Sequence, residues 1–319
     1  MGTAFRIVLY AASTDQARRA AEAAFDRIAL LDTLLSDYRL DSELMALCRR
    51  AGGAPLVIGA DLFRVLSAAQ EWARRSEGAF DATVGPVVRL WRRARRIGEA
   101  PDGAALERAR ALVGYEKLTL DAAAHTARLA EAGMLLDLGG IAKGFAADEA
   151  QIVLRRHHIN SALVAAGGDV VVSAPPPGRG GWSIAVALPA PLLPADMPAL
   201  ELRDAAVSTS GDAEQFVTID GVRYSHIVDP RTGWPLTGRS GVSIVARDGA
   251  TADALATAVS VLGPERGLAL VEATEAAAWM ARETDRGVRT DRSARWSRLV
   301  PSERSPREAE RLICGARED

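Results

Sequence analysis

The stretch Met134-Leu135-Leu136-Asp137-Leu138-Gly139-Gly140-Ile141-Ala142-Lys143-Gly144-Phe145-Ala146-Ala147-Asp148 lies near the middle of a 319-residue chain. It reads as a short apolar strand, two glycines and the first turn of a helix. The glycines let the backbone turn tightly and let a ligand come close to the amides. A helix N-terminus offers unpaired N–H groups and partial positive charge, which suits a phosphate. Asp137 and Lys143 add one charge of each sign. The spacing is neither G-x-G-x-x-G nor the P-loop pattern. The stretch points to a phosphate-bearing ligand without naming it, and an ordinary strand-to-helix turn carries the same pattern.

On the N-terminal side, alternation over 4–11 predicts a strand. Ser13-Thr14 then caps a helix to about residue 35, with Phe25, Ile28, Leu31 and Leu34 on one face. Asp41 or Ser42 caps a short helix that Gly52-Gly53 ends. Further helices are expected over 60–75, 87–96 and 104–112, and paired strands over 117–120 and 126–130. The central helix runs to about His158. Beyond it, 161–173 reads as a strand interrupted by a second diglycine, Gly167-Gly168-Asp169. Strands follow over 182–188, 200–208, 215–219 and 222–228, the last two joined by the hairpin signal Asp220-Gly221. A strand over 241–246, helices over 251–262 and 265–272, and a closing strand over 276–282 complete the pattern. Helices and hairpins are intermixed without sustained strand–helix alternation, which predicts an α+β fold with mixed antiparallel sheets. The organisation expected is a single compact two-lobed unit over 1–299 and a charged tail over 300–319.

Hydrophobic residues make up 48% and charged residues 25%, the profile of a soluble globular protein. A net charge of −2 supplies no field toward nucleic acid or membrane. The two cysteines, Cys48 and Cys314, match no metal or redox motif, and four histidines are too few and scattered for a multi-His zinc site. No run of apolar residues reaches membrane-spanning length. Met1 opens directly on the strand pattern with no signal peptide, so the sequence as it stands reads as cytoplasmic. A chain trimmed at its N-terminus would instead be periplasmic or membrane-anchored.

Three more clusters carry polar chemistry. Asp253 and Thr257 stand at i and i+4 on a helix otherwise made of Ala, Leu and Val, so they share one face. A carboxylate and a hydroxyl are hard oxygen ligands that suit magnesium completed by phosphate oxygens and water. A capping Asp and a Thr bonded back to a carbonyl give the same pattern. Val207-Ser208-Thr209-Ser210-Gly211-Asp212 is followed by Tyr224-Ser225-His226-Ile227-Val228-Asp229-Pro230-Arg231-Thr232-Gly233. His226 is the best candidate general base or acid there, and Asp229 either orients it or belongs to a turn. Gly78-Ala79-Phe80-Asp81, with Ser36 and Tyr38, suits a planar heterocycle, although core packing explains Phe80 equally well. The arginines 89, 92, 93, 95 and 96 read as a solvated helix face, with a site for an acidic partner as the minority reading.

Together these segments resemble the ApbE-like family, the FAD:protein FMN transferases. The resemblance covers residue 1 to about 282. Its motifs are Met1-Gly2-Thr3, Ser36-x-Tyr38 with Ser42-Glu43, and Gly78-x-Phe80-Asp81-x-Thr83-Val84-Gly85-Pro86 with Leu90-Trp91. They continue with Asp137-Leu138-Gly139-Gly140-Ile141-Ala142-Lys143-Gly144, Ser208-Thr209-Ser210-Gly211-Asp212, and His226-Ile227-x-Asp229-Pro230-Arg231-Thr232-Gly233. Ala252-Asp253-Ala254-Leu255-Ala256-Thr257-Ala258 is the last. The resemblance implies an α+β fold holding FAD between lobes. It implies magnesium on Asp253, Thr257 and the Gly140 carbonyl, and FAD contacts from Met1, Tyr38, Ala79, Phe80, Asp81, Asp137, Lys143 and Ile227. His226 would be the base. The implied reaction moves FMN from FAD to a Thr or Ser of a target flavoprotein, such as a redox-complex subunit or FMN-binding domain, and releases AMP. The same residues also suit an FAD pyrophosphatase giving free FMN and AMP, or a flavin-binding protein without activity.

Overall fold

The computed structural model describes residues 3–188, 192–194, 197–211 and 215–299. Met1, Asp212, Cys314 and the expected tail lie outside the described residues. Strand β1 (Phe5–Tyr10) leads into α1 (Thr14–Leu35), α2 (Glu43–Arg49), β2 (Leu56–Val57), α3 (Ala60–Arg75), α4 (Gly85–Ile97) and α5 (Gly103–Ala111). Next come β3 (Leu118–Asp121), β4 (Thr126–Leu129), α6 (Ala142–Arg156), β5 (Ser161–Ala166) and β6 (Asp169–Val172). Five short or medium strands follow: β7 (Trp182–Ile184), β8 (Leu200–Leu202), β9 (Ala205–Gly211), β10 (Phe216–Ile219) and β11 (Val222–Val228). The chain continues through β12 (Pro235–Thr237), β13 (Ser240–Ala246), α7 (Gly249–Glu272), β14 (Ala277–Thr284), β15 (Gly287–Arg292) and α8 (Trp296–Leu299).

The organising element is a seven-stranded sheet, ordered β1-β5-β6-β9-β13-β14-β15, with every neighbouring pair antiparallel. Successive side chains point to opposite faces, so Val242 and Ile244 of β13 enter the main core while Val245 enters a second one. Helices α6 and α7 pack on the first face, with α1 against α6 and α3 against α7. The opposite face is covered around Trp182, Trp279 and Trp296. A smaller lobe packs α4 and α5 against the β10–β12 sheet around Trp91, whose Nε1 donates to the Gly233 carbonyl at 2.9 Å. The expected α+β class and antiparallel pairing are what the chain adopts.

Several local expectations change. In α1 the buried face is Ala20, Ala24, Ile28, Leu31 and Leu35, so Phe25, 42% exposed, is on the solvent side. A stripe through Ala residues fits the helix period as well as one through Phe25, and close approach to α6 selects the small side chains. Residues 134–138 form no strand beyond one parallel bridge, Val84 to Leu135. Their amides bond elsewhere: Leu136 N–H to the Cys48 sulfur at 3.3 Å, and Asp137 N–H to the Ala82 carbonyl at 2.8 Å. Cys48 is a free, buried thiol. The second diglycine is a hairpin turn, with Gly167 at φ 64 between β5 and β6. Asp204, at φ 46, splits the expected strand over 200–208 into β8 and β9. Strand β14 does not close the sheet, because β15 pairs outside it.

Helix α7 has 24 residues and is long and apolar enough, by length and composition, to cross a membrane. Here it is a core helix, lying against α6, β9 and β13. Gly263 (φ 74, ψ −176) breaks its path just before Pro264, which disfavours a helical conformation in the preceding residue.

A charged cluster pins the helical layer. Arg27 of α1 bonds Asp61 of α3 at 2.6 Å and Glu149 of α6 at 2.5 Å, and Arg64 reaches Glu149 at 2.8 Å. The apolar layer beneath carries more of the stability. Leu31 is fully buried, so Leu31→Ala is expected to cost about 2–5 kcal/mol through lost transfer energy and the cavity left. Urea denaturation measures this, with exposed Leu40→Ala as the unaffected comparison.

Candidate active site

Lys143 sits in the first turn of α6 and is the hub of the site. Its Nζ lies 3.0 Å from Asp253 Oδ1, 3.0 Å from Asp169 Oδ2 and 3.1 Å from the Gly139 carbonyl. Asp253 comes from α7, and its Oδ2 also accepts the Gly144 N–H at 3.3 Å. Asp169 begins β6 and accepts from Ser208 Oγ of β9 at 2.5 Å. Both carboxylates are buried, each residue 2% exposed. Burial and the neighbouring Asp169 push Asp253 up to about 7, with Lys143 opposing. Burial disfavours charge on Lys143, yet the two acids more than offset this and hold it protonated.

Gly140 closes the other side. A Cβ there would lie 2.7 Å from Thr257 Oγ1 and 3.3 Å from the Phe80 ring. Only a glycine backbone can rest against both. The Gly140 turn, the Thr257 hydroxyl and the Asp253 carboxylate are thus gathered where α6 begins and α7 passes. Among the described residues, no group of three or more His, Cys, Asp or Glu side chains could hold a metal unaided. The donors present are instead one carboxylate, one hydroxyl and peptide carbonyls. These hard oxygens would suit a magnesium ion if phosphate and water completed its shell.

The flanking residues form walls. Ala79 and Ile227 are buried with Val261 in one apolar cluster, and Phe80 belongs to the main core. Asp81 is spent within its own loop, where its Oδ1 accepts the Thr83 amide at 2.8 Å and the Thr83 hydroxyl at 2.7 Å. Burial raises its pKa to about 6. Tyr38 is 69% exposed, and the Arg92 guanidinium lies 4.5 Å from its ring centre. Arg92 also bonds Asp37 and, at 2.7 Å, Asp137. Arg92 is therefore not part of a purely solvated face, as its arginine-rich surroundings suggested.

His226 stands on β11. Its Nδ1 is 3.2 Å from the Gln215 carbonyl oxygen, an acceptor, which assigns the hydrogen to Nδ1 and makes Nε2 the basic nitrogen. Asp229 does not orient it. That carboxylate grips Arg231 at 2.9 and 2.8 Å, and its carbonyl accepts from Gly233 across the turn at 2.8 Å. The turn reading of Asp-Pro-Arg-Thr-Gly is the one realised. Two contributors went unassigned in the sequence, Asp169 and Arg92. Asp169 follows the second diglycine, a weak signal, and Arg92 is indistinguishable by sequence from its arginine neighbours. A separate cavity of about 540 Å³, bordered by Phe145, Glu149 and Arg155, is lined by none of the site residues.

Seven antiparallel strands, two helices meeting at a glycine and a lysine shared by two buried acids define an α+β scaffold with one oxygen-rich, charged site. The ApbE family model matches residues 1–280, and the chain belongs to that family. It is 38% identical over 286 residues to the FAD:protein FMN transferase of Treponema pallidum, covering 85% of this chain and 79% of the relative. The Vibrio cholerae FAD:protein FMN transferase is 33% identical over 256 residues, covering 79% and 76%. Among solved structures, the ApbE protein of Thermotoga maritima superposes with a TM-score of 0.83 at 30% identity, over 94% of this chain and 97% of the other. A histidine-to-glycine variant of the Vibrio cholerae flavin transferase ApbE gives 0.82 at 30% identity, over 94% and 96%.

Proposed function

We propose that this protein transfers FMN from FAD to a Thr or Ser hydroxyl of a target flavoprotein, releasing AMP, with magnesium at the Asp253 site. The observation that carries this reading is the close approach of the Gly140 backbone to Thr257 Oγ1, where an added Cβ would lie 2.7 Å from that oxygen, one helical turn from Asp253. It gathers hard oxygen donors at a helix N-terminus, where a diphosphate is favoured. The names of the relatives support the same chemistry.

In this reading the acceptor oxygen attacks the FMN phosphorus, and the bond from that phosphorus to the bridging oxygen breaks. His226 Nε2 takes the acceptor proton. AMP leaves with the bridging oxygen. Lys143 and the positive end of α6 attract the phosphates, and Tyr38, Ala79, Phe80, Asp81, Asp137 and Ile227 contact the remainder of FAD. A bound magnesium ion would neutralise charge on the diphosphate through Asp253, Thr257 and the Gly140 carbonyl. The Asp81 Oδ1 also holds its own loop through Thr83.

The test is incubation with FAD, magnesium and a flavoprotein acceptor domain, followed by mass spectrometry of the acceptor. A gain of one FMN supports transfer. Free FMN and AMP with an unmodified acceptor would show a pyrophosphatase instead. His226→Ala is expected to slow transfer about a hundredfold, the usual contribution of a positioned base, while FAD affinity stays the same. Initial rates of the mass gain, beside flavin fluorescence titrations, check both halves of that expectation.

A further inference from the structure

Helix α4 presents arginines at 89, 92, 93, 95 and 96, and the structure singles out one of them. Arg92 bonds Asp37 on one side and Asp137 on the other, at 2.7 Å, while its guanidinium faces the Tyr38 ring at 4.5 Å. These partners come from two distant loops, one after α1 and one before α6. Asp137 also accepts the Gly139 N–H at 2.7 Å, so the connection continues to the backbone next to Gly140. One side of the Tyr38 ring rests near the cation, and the residue is still 69% exposed. A large aromatic surface is therefore held ready, tied through Arg92 and Asp137 to the loop that leads to Gly140.

We propose that Arg92 is a positioning residue. It locks the Tyr38 ring and the Asp137–Gly140 loop together, so that a planar heterocycle of FAD stacks on the open side of Tyr38. This rests on the reading of the chain as an FAD-binding transferase and adds the residue that sets the distance between ring and diphosphate subsites. Two physical points require arginine. A guanidinium has donors on separate edges and a flat face, so it can bond two carboxylates and lie along a ring at once; an ammonium cannot. Asp37 and Asp137 would also repel one another without a cation between them. Burial and the charge of Asp137 both raise the Asp37 pKa, and Arg92 opposes the rise.

The test is a mutant cycle read by ligand affinity in EDTA, where the metal plays no part. Arg92→Lys keeps the charge and loses the fork, and is expected to weaken FAD binding about tenfold. Titration with FMN and with ADP separates the two rings of FAD. Only one of these half-ligands should weaken, the same one that Tyr38→Ala weakens, and the double variant should bind no worse than Tyr38→Ala alone. Arg92→Gln combined with Asp37→Asn removes the cation with one of its acids and should reproduce the selective loss if Arg92→Lys lowers the melting temperature. Unchanged FAD affinity in Arg92→Lys, equal weakening of FMN and ADP, or fully additive losses would overturn the proposal. Wild-type protein that binds no FAD would overturn the parent reading and this one with it.

Discussion

Asp253→Asn is expected to lower FMN transfer about a thousandfold while leaving FAD binding in EDTA nearly unchanged. The substitution conserves volume at a residue that is only 2% exposed. Lys143 keeps its second carboxylate, Asp169, at 3.0 Å, so the buried ammonium is not stranded. What disappears is the one formal negative charge among the oxygen donors gathered at Gly140 and Thr257. An amide oxygen is a far poorer ligand for a hard divalent cation than a carboxylate. Transfer rates measured across a magnesium titration, beside FAD titrations by flavin fluorescence, separate the two effects. A rate unchanged at saturating magnesium would remove Asp253 from the site.

Gly144→Ala should be the most damaging single change to the fold. A Cβ at Gly144 would lie 2.0 Å from the Gly249 carbonyl oxygen, 2.3 Å from its carbon and 2.8 Å from the Ala250 nitrogen. The reciprocal Cβ on Gly249 would lie 2.5 Å from the Gly144 oxygen. All of these atoms are backbone, so no side-chain rotation relieves the clash. Helices α6 and α7 must separate, and the core between them with them. A cost of about 3–5 kcal/mol, or roughly 10 °C in Tm, is expected. Gly103→Ala is the control, because its Cβ meets nothing within 4 Å. Calorimetry of the two variants gives the comparison, and equal Tm values would show that the helix crossing tolerates a methyl group. Activity should fall with stability in Gly144→Ala, since Gly144 N–H bonds Asp253 and Lys143 is its neighbour.

The fold class was legible because helical periodicity and turn residues are local. The Ser13 and Ser42 caps, the Asp220-Gly221 turn and the break between the two segments of α7 all stood where the residues suggested. Within the site, Asp253 and Thr257 could be paired because helix geometry alone puts i and i+4 on one face. Their meeting with Gly140 could not be derived this way, because it depends on how α6 and α7 cross. Asp169 was hidden for the same reason: it reaches Lys143 only after the β5–β6 hairpin has paired with β9. Arg92 and Asp229 show the complementary limit. Asp229 had a chemically reasonable partner nearby in sequence, Arg231, whereas the charged residues within four positions of Arg92 are all arginines. For Asp229 the local partner won, and for Arg92 the winners were Asp37 and Asp137, both far away along the chain.

The edge position of β1 has a consequence for synthesis on the ribosome. Its register partners are Ser161 to Ala166, so Phe5 finds Ala166 only after about 160 further residues have been made. Until then the nascent chain carries an apolar strand with no ladder to join, while α1 waits for the face of α6. Long-range pairing of this kind slows folding and leaves unpaired edges open to wrong partners. Strand β1 is thus secured long after it is made. That exposure lasts until the residues between β1 and β5 have been translated and β5 can pair.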